Sequence, residues 1–157
     1  MNEKERFMTK AVKQALAAMK QDEVPIGAVI VKDGKVIARA HNRRRKSNDA
    51  TAHAETEAIR KACKKIGDWR LNGCEMYVTL EPCLMCLGAC YNARISKVYF
   101  GAYDKTEGRS EMMRSVNTLN HNLETEGGVL EEKCSNILTQ YFKSKRSARN
   151  LPADDCD

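Results

Sequence analysis

Over the first twenty positions, apolar residues recur at helical spacing. Phe7, Met8, Ala11, Val12, Ala15, Leu16 and Met19 share one face, so the pattern predicts an opening amphipathic helix. The period then changes. Pro25–Val31 is a continuous apolar run that stops at Lys32-Asp33-Gly34-Lys35, and Asp-Gly between two such runs is a hairpin signal. Val36–Ala40 is the return strand and delivers His41 and Asn42 to its end. Arg43–Ala52 is polar and reads as a loop. Ala58, Ile59, Ala62, Cys63 and Ile66 restore the helical period, with Gly67 as the stop.

Glu75–Leu80 alternates as a strand and runs directly into a helix that begins at Pro82-Cys83 and ends near Ala93-Arg94. Lys97–Ala102 is a further strand. From Asp104 to Leu123 the chain is polar and weakly patterned, with a short helix placed at Glu111–Val116. Gly127-Gly128 allows a short strand or turn at Val129-Leu130. A last helix carries one stripe of Cys134, Ile137, Leu138, Tyr141 and Phe142, which reads as core. Tyr141 and Phe142 lie beside a basic tail, so stacking against an unpaired base is a second reading for them.

A hairpin followed by strand–helix–strand units predicts an α/β fold. Its form is a mixed five-stranded sheet with helices on both faces, in three layers. With 157 residues and no repeat, linker or low-complexity segment, the chain is expected to be one domain over residues 1–157. A basic C-terminal helix and a short polar tail, about 147–157, close it.

Composition narrows the setting. The longest run free of Lys, Arg, Asp and Glu is Pro82–Ala93, twelve residues, against the ~20 that a bilayer needs, so no membrane span is expected. Met1–Arg6 carries charges of both signs and no apolar stretch, which is unlike a secretory leader. Seven cysteines, an odd number scattered through the predicted elements, read as reduced and cytoplasmic. The net charge of +6 is concentrated in Arg43-Arg44-Arg45-Lys46 and in Lys143, Lys145, Arg146 and Arg149. Two readings stay open for these blocks, a solvated surface or a phosphate-binding footprint.

The chemistry-bearing residues are Glu81-Pro82-Cys83-Leu84-Met85-Cys86 and His53-Ala54-Glu55. Cysteines three apart at a helix start share a face, where the helix dipole favours thiolates. His53 and Glu55 converge on one point only if they sit in the first turn of their helix. Asn48, Asp49 and Thr51 supply capping chemistry just upstream. A His, Cys, Cys set leaves the fourth tetrahedral position of a zinc ion open, which is the arrangement of catalytic rather than scaffolding zinc. Cys90, one turn beyond Cys86, reads as a small core residue. His-x-Glu followed by Pro-Cys-x-x-Cys, with both helices after strands, is the pattern of the zinc-dependent base deaminases. It places the site at one end of the sheet.

With these residues in view, the chain resembles the bacterial tRNA-specific adenosine deaminases over nearly its whole length. The resemblance is carried by Val24–Val29, Asn42, Thr51–Glu55, Thr79–Ala89, Phe100–Asp104, Asn120-His121 and Gly127–Leu130. The chain departs from the family pattern at Ala50, usually Pro, and at Asn122, usually Arg. Its Lys105–Ser110 segment is also short, and its Arg43–Lys46 block is unusually basic. The resemblance implies a cytidine-deaminase-like fold, a homodimer, and conversion of the wobble adenosine of a tRNA anticodon stem-loop to inosine. It implies one zinc per chain on His53, Cys83 and Cys86, with Glu55 as the catalytic proton carrier. It also implies a base pocket shaped by Ile26, Asn42, Ala54, Leu80 and Asp104. Arg43, Arg44, Lys143, Lys145 and Arg146 are the expected RNA contacts. Two other functions compete with this one. A deaminase of guanine, cytosine, a nucleoside or single-stranded DNA shares the metal and Glu55. A non-catalytic zinc module has no use for a non-ligating carboxylate at position 55.

Overall fold

The computed structural model describes residues 1–112 and 120–149. Its sheet is built from β1 (Gly27–Lys32), β2 (Lys35–His41), β3 (Cys74–Leu80), β4 (Lys97–Ala102) and β5 (Glu124–Glu126), in the spatial order β2-β1-β3-β4-β5. β1 is antiparallel to both β2 and β3, and β3, β4 and β5 run parallel. The predicted Asp-Gly turn is present. Asp33 and Gly34 have φ of 50° and 74°, the two left-handed residues that a tight hairpin turn requires.

Alternation along the strands sends side chains into two separate cores. Ala28, Ile30, Met76, Val78, Val98 and Phe100 face one side and pack against α3 (Ala54–Ile66) and α4 (Leu84–Asn92). Val29, Val31, Tyr77 and Tyr99 face the other and pack against α1 (Glu3–Lys20) and the start of a C-terminal helix, Glu131–Arg149. The result is the expected three-layer α/β/α arrangement with helices on both faces. α1 lies close against β1, and Gly27 is what permits it: a Cβ there would stand 2.1 Å from the Ala11 carbonyl oxygen.

Several local expectations needed correction. The Arg43–Ala52 loop contains a single helical turn, α2 (Arg44–Ser47). No sequence-local cap holds it. The buried Glu23 carboxylate accepts hydrogen bonds from the Arg45 and Lys46 N–H groups instead, a tertiary contact invisible in the local pattern. Of the strand or turn expected at Val129-Leu130 the turn is present, and the fifth strand lies before Gly127-Gly128. Val129 and Leu130 form the turn into the last helix, labelled α5 here, with Leu130 at φ 53°. Of the short helix placed at Glu111–Val116, a 3₁₀ turn spans Ser110–Met112, and residues 113–119 lie outside the described residues. The same holds for residues 150–157 of the polar tail. No helix among the described residues is long and apolar enough to cross a membrane.

Candidate metal and substrate site

Both chemistry-bearing helices start at the same place. His53 is the N-cap residue of α3 and Cys83 the N-cap residue of α4, each in extended backbone and without a side-chain cap bond. Pro82 therefore precedes the N-cap instead of occupying the first helical turn. Asn48, Asp49 and Thr51 do not cap α3. Asn48 ends α2 in the left-handed conformation, and Asp49 Oδ1 accepts from the Thr51 N–H and hydroxyl at 2.8 and 2.7 Å. Together they shape the turn that brings His53 to the helix end.

His53 Nδ1 stands 3.4 Å from Cys86 Sγ and 3.8 Å from Cys83 Sγ. Bond lengths of ~2.0–2.1 and ~2.3 Å at a tetrahedral zinc imply N···S separations of about 3.6 Å, so the donor set and its spacing fit that ion. The ligand atoms of His53, Cys83 and Cys86 all lie within 4.8 Å of one another. Electrostatics favours metal-ready ligands. Hydrogen bonds from the Cys86 thiol and from His53 pull Cys83 down to about 4. The thiol contact with Cys83, then burial, push Cys86 up. The hydrogen bond with Cys83 likewise raises His53, against its burial. A metal bound here would displace the remaining protons.

Glu55 is the second residue of α3, with 4% of its surface exposed. Burial raises its carboxyl above the ordinary range, while its own backbone N–H, His53 and the Cys86 thiol act in the opposite direction. Cys90 is fully buried beneath the site, with its thiol 3.8 Å from the Met76 sulfur, as the core reading required.

His53, Glu55 and Cys83 line a cavity of about 730 Å³. Val24, Ile26, Leu80 and Met85 give it apolar walls, Asp104–Glu107 form one rim, and Leu138 and Phe142 reach in from α5. Of the residues expected around the substrate, Ile26, Leu80 and Asp104 are therefore in the wall. Asn42 and Ala54 are buried just behind it, with the Asn42 N–H donated to the Ile26 carbonyl at 3.1 Å. Asp104 Oδ1 accepts from the Thr106 and Glu107 N–H groups and the Thr106 hydroxyl, so it also folds its own loop. The two readings of the α5 stripe divide. Tyr141 is buried, whereas Phe142, edge-on to it at 5.3 Å, faces the cavity.

Of the expected RNA contacts, Arg44 lines the cavity. Arg43 lies just before α2, and Lys143 is exposed on α5 with Lys145 and Arg146 nearby and partly buried. The two basic blocks, about a hundred residues apart in sequence, meet at Asp22, which forms ion pairs with both Arg45 and Lys145. His121 stands elsewhere, its Nε2 2.7 Å from the Ile95 carbonyl and its ring edge-on to Tyr91. Sequence reasoning missed Val24, Met85, Tyr103 and Leu138 as wall residues, because an apolar side chain carries no local sign of the cavity it lines. Glu81 stands within the motif, but the local pattern assigns it no role, and it is outside the metal-binding cluster.

Comparisons with known proteins identify the family. A family model described as MafB19-like deaminase matches residues 2–146. A Bacillus subtilis protein named tRNA-specific adenosine deaminase is 46% identical over 156 residues, covering 95% of this chain and 97% of that one. A solved structure from work on A-to-I editing by tRNA:A34 deaminases at the wobble position shares 46% identity, with a TM-score of 0.79 over 85% of this chain and 99% of that one. A guanine deaminase structure from Bacillus subtilis is more distant, at 34% identity and a TM-score of 0.64, with 100% and 99% covered. By identity, coverage and fold together, this chain belongs to the tRNA-specific adenosine deaminase family.

Proposed function

We propose that this chain hydrolyses adenosine to inosine and ammonia at the wobble position of a tRNA anticodon, with one zinc ion held by His53, Cys83 and Cys86. The observation that carries the reading is the buried carboxylate of Glu55, which is outside the ligand set yet lines the same cavity as His53 and Cys83. A scaffolding metal site has no need of it.

His53, Cys83 and Cys86 would hold the zinc, which would supply an activated water at neutral pH, since coordination lowers the pKa of water from 15.7 to ≈ 7. The protein residues do the rest. Glu55, with its proton affinity raised by burial, takes a proton from the attacking water and passes it to the ring nitrogen next to C6. As the oxygen bonds to C6, Glu55 takes the second proton from the new hydroxyl and gives it to the amine, so that the C6–N bond breaks, ammonia leaves and the C6 carbonyl of inosine forms. N–H groups at the starts of α3 and α4, near Ala54 and Cys83, face the site and orient the polar atoms. Ile26, Leu80 and Phe142 grip the apolar faces of an extruded base, and a single-stranded anticodon loop makes extrusion inexpensive. Arg43, Arg44, Lys143, Lys145 and Arg146 hold the phosphates, a role supported by the convergence of both basic blocks beside the cavity.

A second copy of the chain is the natural partner. α4 exposes Leu84 and Met85 beside Gly88, where a Cβ would meet nothing within 4 Å, leaving an apolar, closely approachable face. The cytoplasm is the fitting compartment, since the six cysteines among the described residues are all free.

The test is to incubate the purified protein with an anticodon stem-loop, a matched DNA hairpin, free guanine and free cytosine, and to measure ammonia and inosine. Inosine in the RNA supports the reading. Ammonia from guanine or cytosine with no inosine in the RNA assigns the site to a free base.

A further inference from the structure

We propose that Glu81 is a positioning residue: its buried carboxylate sets the Asp104–Ser110 segment as the rim of the substrate cavity and so governs how tightly RNA is held. This inference rests on the deaminase reading above. Glu81 directly precedes Pro82-Cys83 and is only 9% exposed, yet it is not part of the metal-binding cluster. Its two oxygens are spent on a different task. Oε1 accepts the Asp104 N–H at 3.1 Å, and Oε2 accepts the Ser110 N–H at 3.1 Å and the Ser110 hydroxyl at 2.6 Å. One carboxylate therefore fastens both ends of the segment.

The segment is built to receive it. Gly108 closes over the carboxylate so tightly that a Cβ there would lie 2.4 Å from Oε1. The Arg109 N–H is donated to the Pro82 carbonyl at 3.1 Å, a second tie to the same turn. The segment is polar, so hydrogen bonds must do what apolar packing does in a core, and those to a carboxylate are the stronger kind. Glu81 is also shared between two cavities. It lines the metal cavity together with Asp104–Glu107, and a neighbouring cavity of about 590 Å³ together with Tyr103, Arg109 and Ser110. Fixing this partition fixes the shape that RNA meets beside the target base, while Glu55 and the metal ligands stay on α3 and α4.

Three variants test it in steady-state kinetics on an anticodon stem-loop, with zinc content measured in parallel. Glu81→Ala leaves three donors without their acceptor, and KM rises about tenfold while kcat stays within about threefold and zinc content is unchanged. Glu81→Gln keeps one carbonyl acceptor and recovers part of the KM. Gly108→Ala presses on the carboxylate from the loop side and raises KM like Glu81→Ala with Glu81 still present. Hydrogen exchange at the Asp104 and Ser110 amides accelerates in all three. Wild-type turnover with an unchanged KM in both Glu81→Ala and Gly108→Ala overturns the role of Glu81 alone. So does zinc loss in the Glu81 variants with wild-type KM in Gly108→Ala, which assigns Glu81 to the metal turn. Absence of wild-type turnover on the stem-loop counts against the deaminase reading itself.

Discussion

His53 and Cys83 occupy the same position in two different helices. Each is an N-cap residue, with φ of −78° and −74°, and Cys83 Sγ lies 3.8 Å from His53 Nδ1. An N-cap residue has extended backbone, so its side chain projects past the helix end, toward the positive pole of the dipole. Two helix ends thus meet at one point, where the anionic thiolates that a cation requires as ligands are favoured.

The metal should therefore hold the two helix starts together. Cys86→Ser should lose zinc and activity, and its Tm should fall by more than about 5 °C, because binding energy is here part of folding energy. Normal zinc content by elemental analysis would refute the ligand assignment.

Glu55 stands apart from the ligands. Glu55→Ala should keep the zinc and the fold while turnover falls by ~10²–10⁴ or more. Single-turnover rates on the stem-loop decide this, and a variant retaining more than about a tenth of the wild-type rate means another group carries the proton.

The basic rim makes binding salt-dependent. Each phosphate contact removed should flatten the slope of log affinity against log salt by ~0.7 to 0.9. Arg44→Ala, in the cavity wall, should show the full step. Lys145→Ala should show less, because Lys145 already pairs with Asp22. A slope that ignores both substitutions on RNA and DNA hairpins alike would return these charges to the solvated-surface reading.

Gly27→Ala tests the close contact between α1 and β1. The added methyl would overlap the Ala11 carbonyl oxygen at 2.1 Å and the Ala15 nitrogen at 2.4 Å. Destabilisation of about 3 kcal/mol is expected, measurable as a shifted urea midpoint with an unchanged slope.

Acid should weaken the edge of the sheet. Hydrogen bonding to Lys4, with Lys97 adding to it, holds Glu126 below the ordinary carboxylate range. A group depressed on folding contributes stability above its unfolded pKa and loses it as pH falls through the lower folded value. Glu126→Gln should therefore be less stable than wild type at pH 7, and the gap should close as pH falls below the ordinary carboxylate range. A stability gap that persists at the acid end would mean that charge is not what Glu126 contributes.

The sequence by itself determined the framework and the chemistry. The unbroken apolar run Ala28–Val31 marked a strand buried on both faces, because a two-residue period sends neighbouring side chains to opposite sides and here both are apolar. The helical stripes of α1 and α3 said which elements would cover it. His53, Glu55, Cys83 and Cys86 were legible as a group because their residue types and spacing suit one ion and few other purposes. Tertiary structure alone decided what the local pattern leaves open. α2 exists because Glu23, distant in sequence, supplies its cap. Glu81 has no meaning until the Asp104–Ser110 segment folds back onto it. Phe142 and Tyr141 are neighbours on one stripe, yet one faces the cavity and the other the interior. A helical period fixes which residues share a face, but what that face meets depends on contacts between residues far apart in the chain.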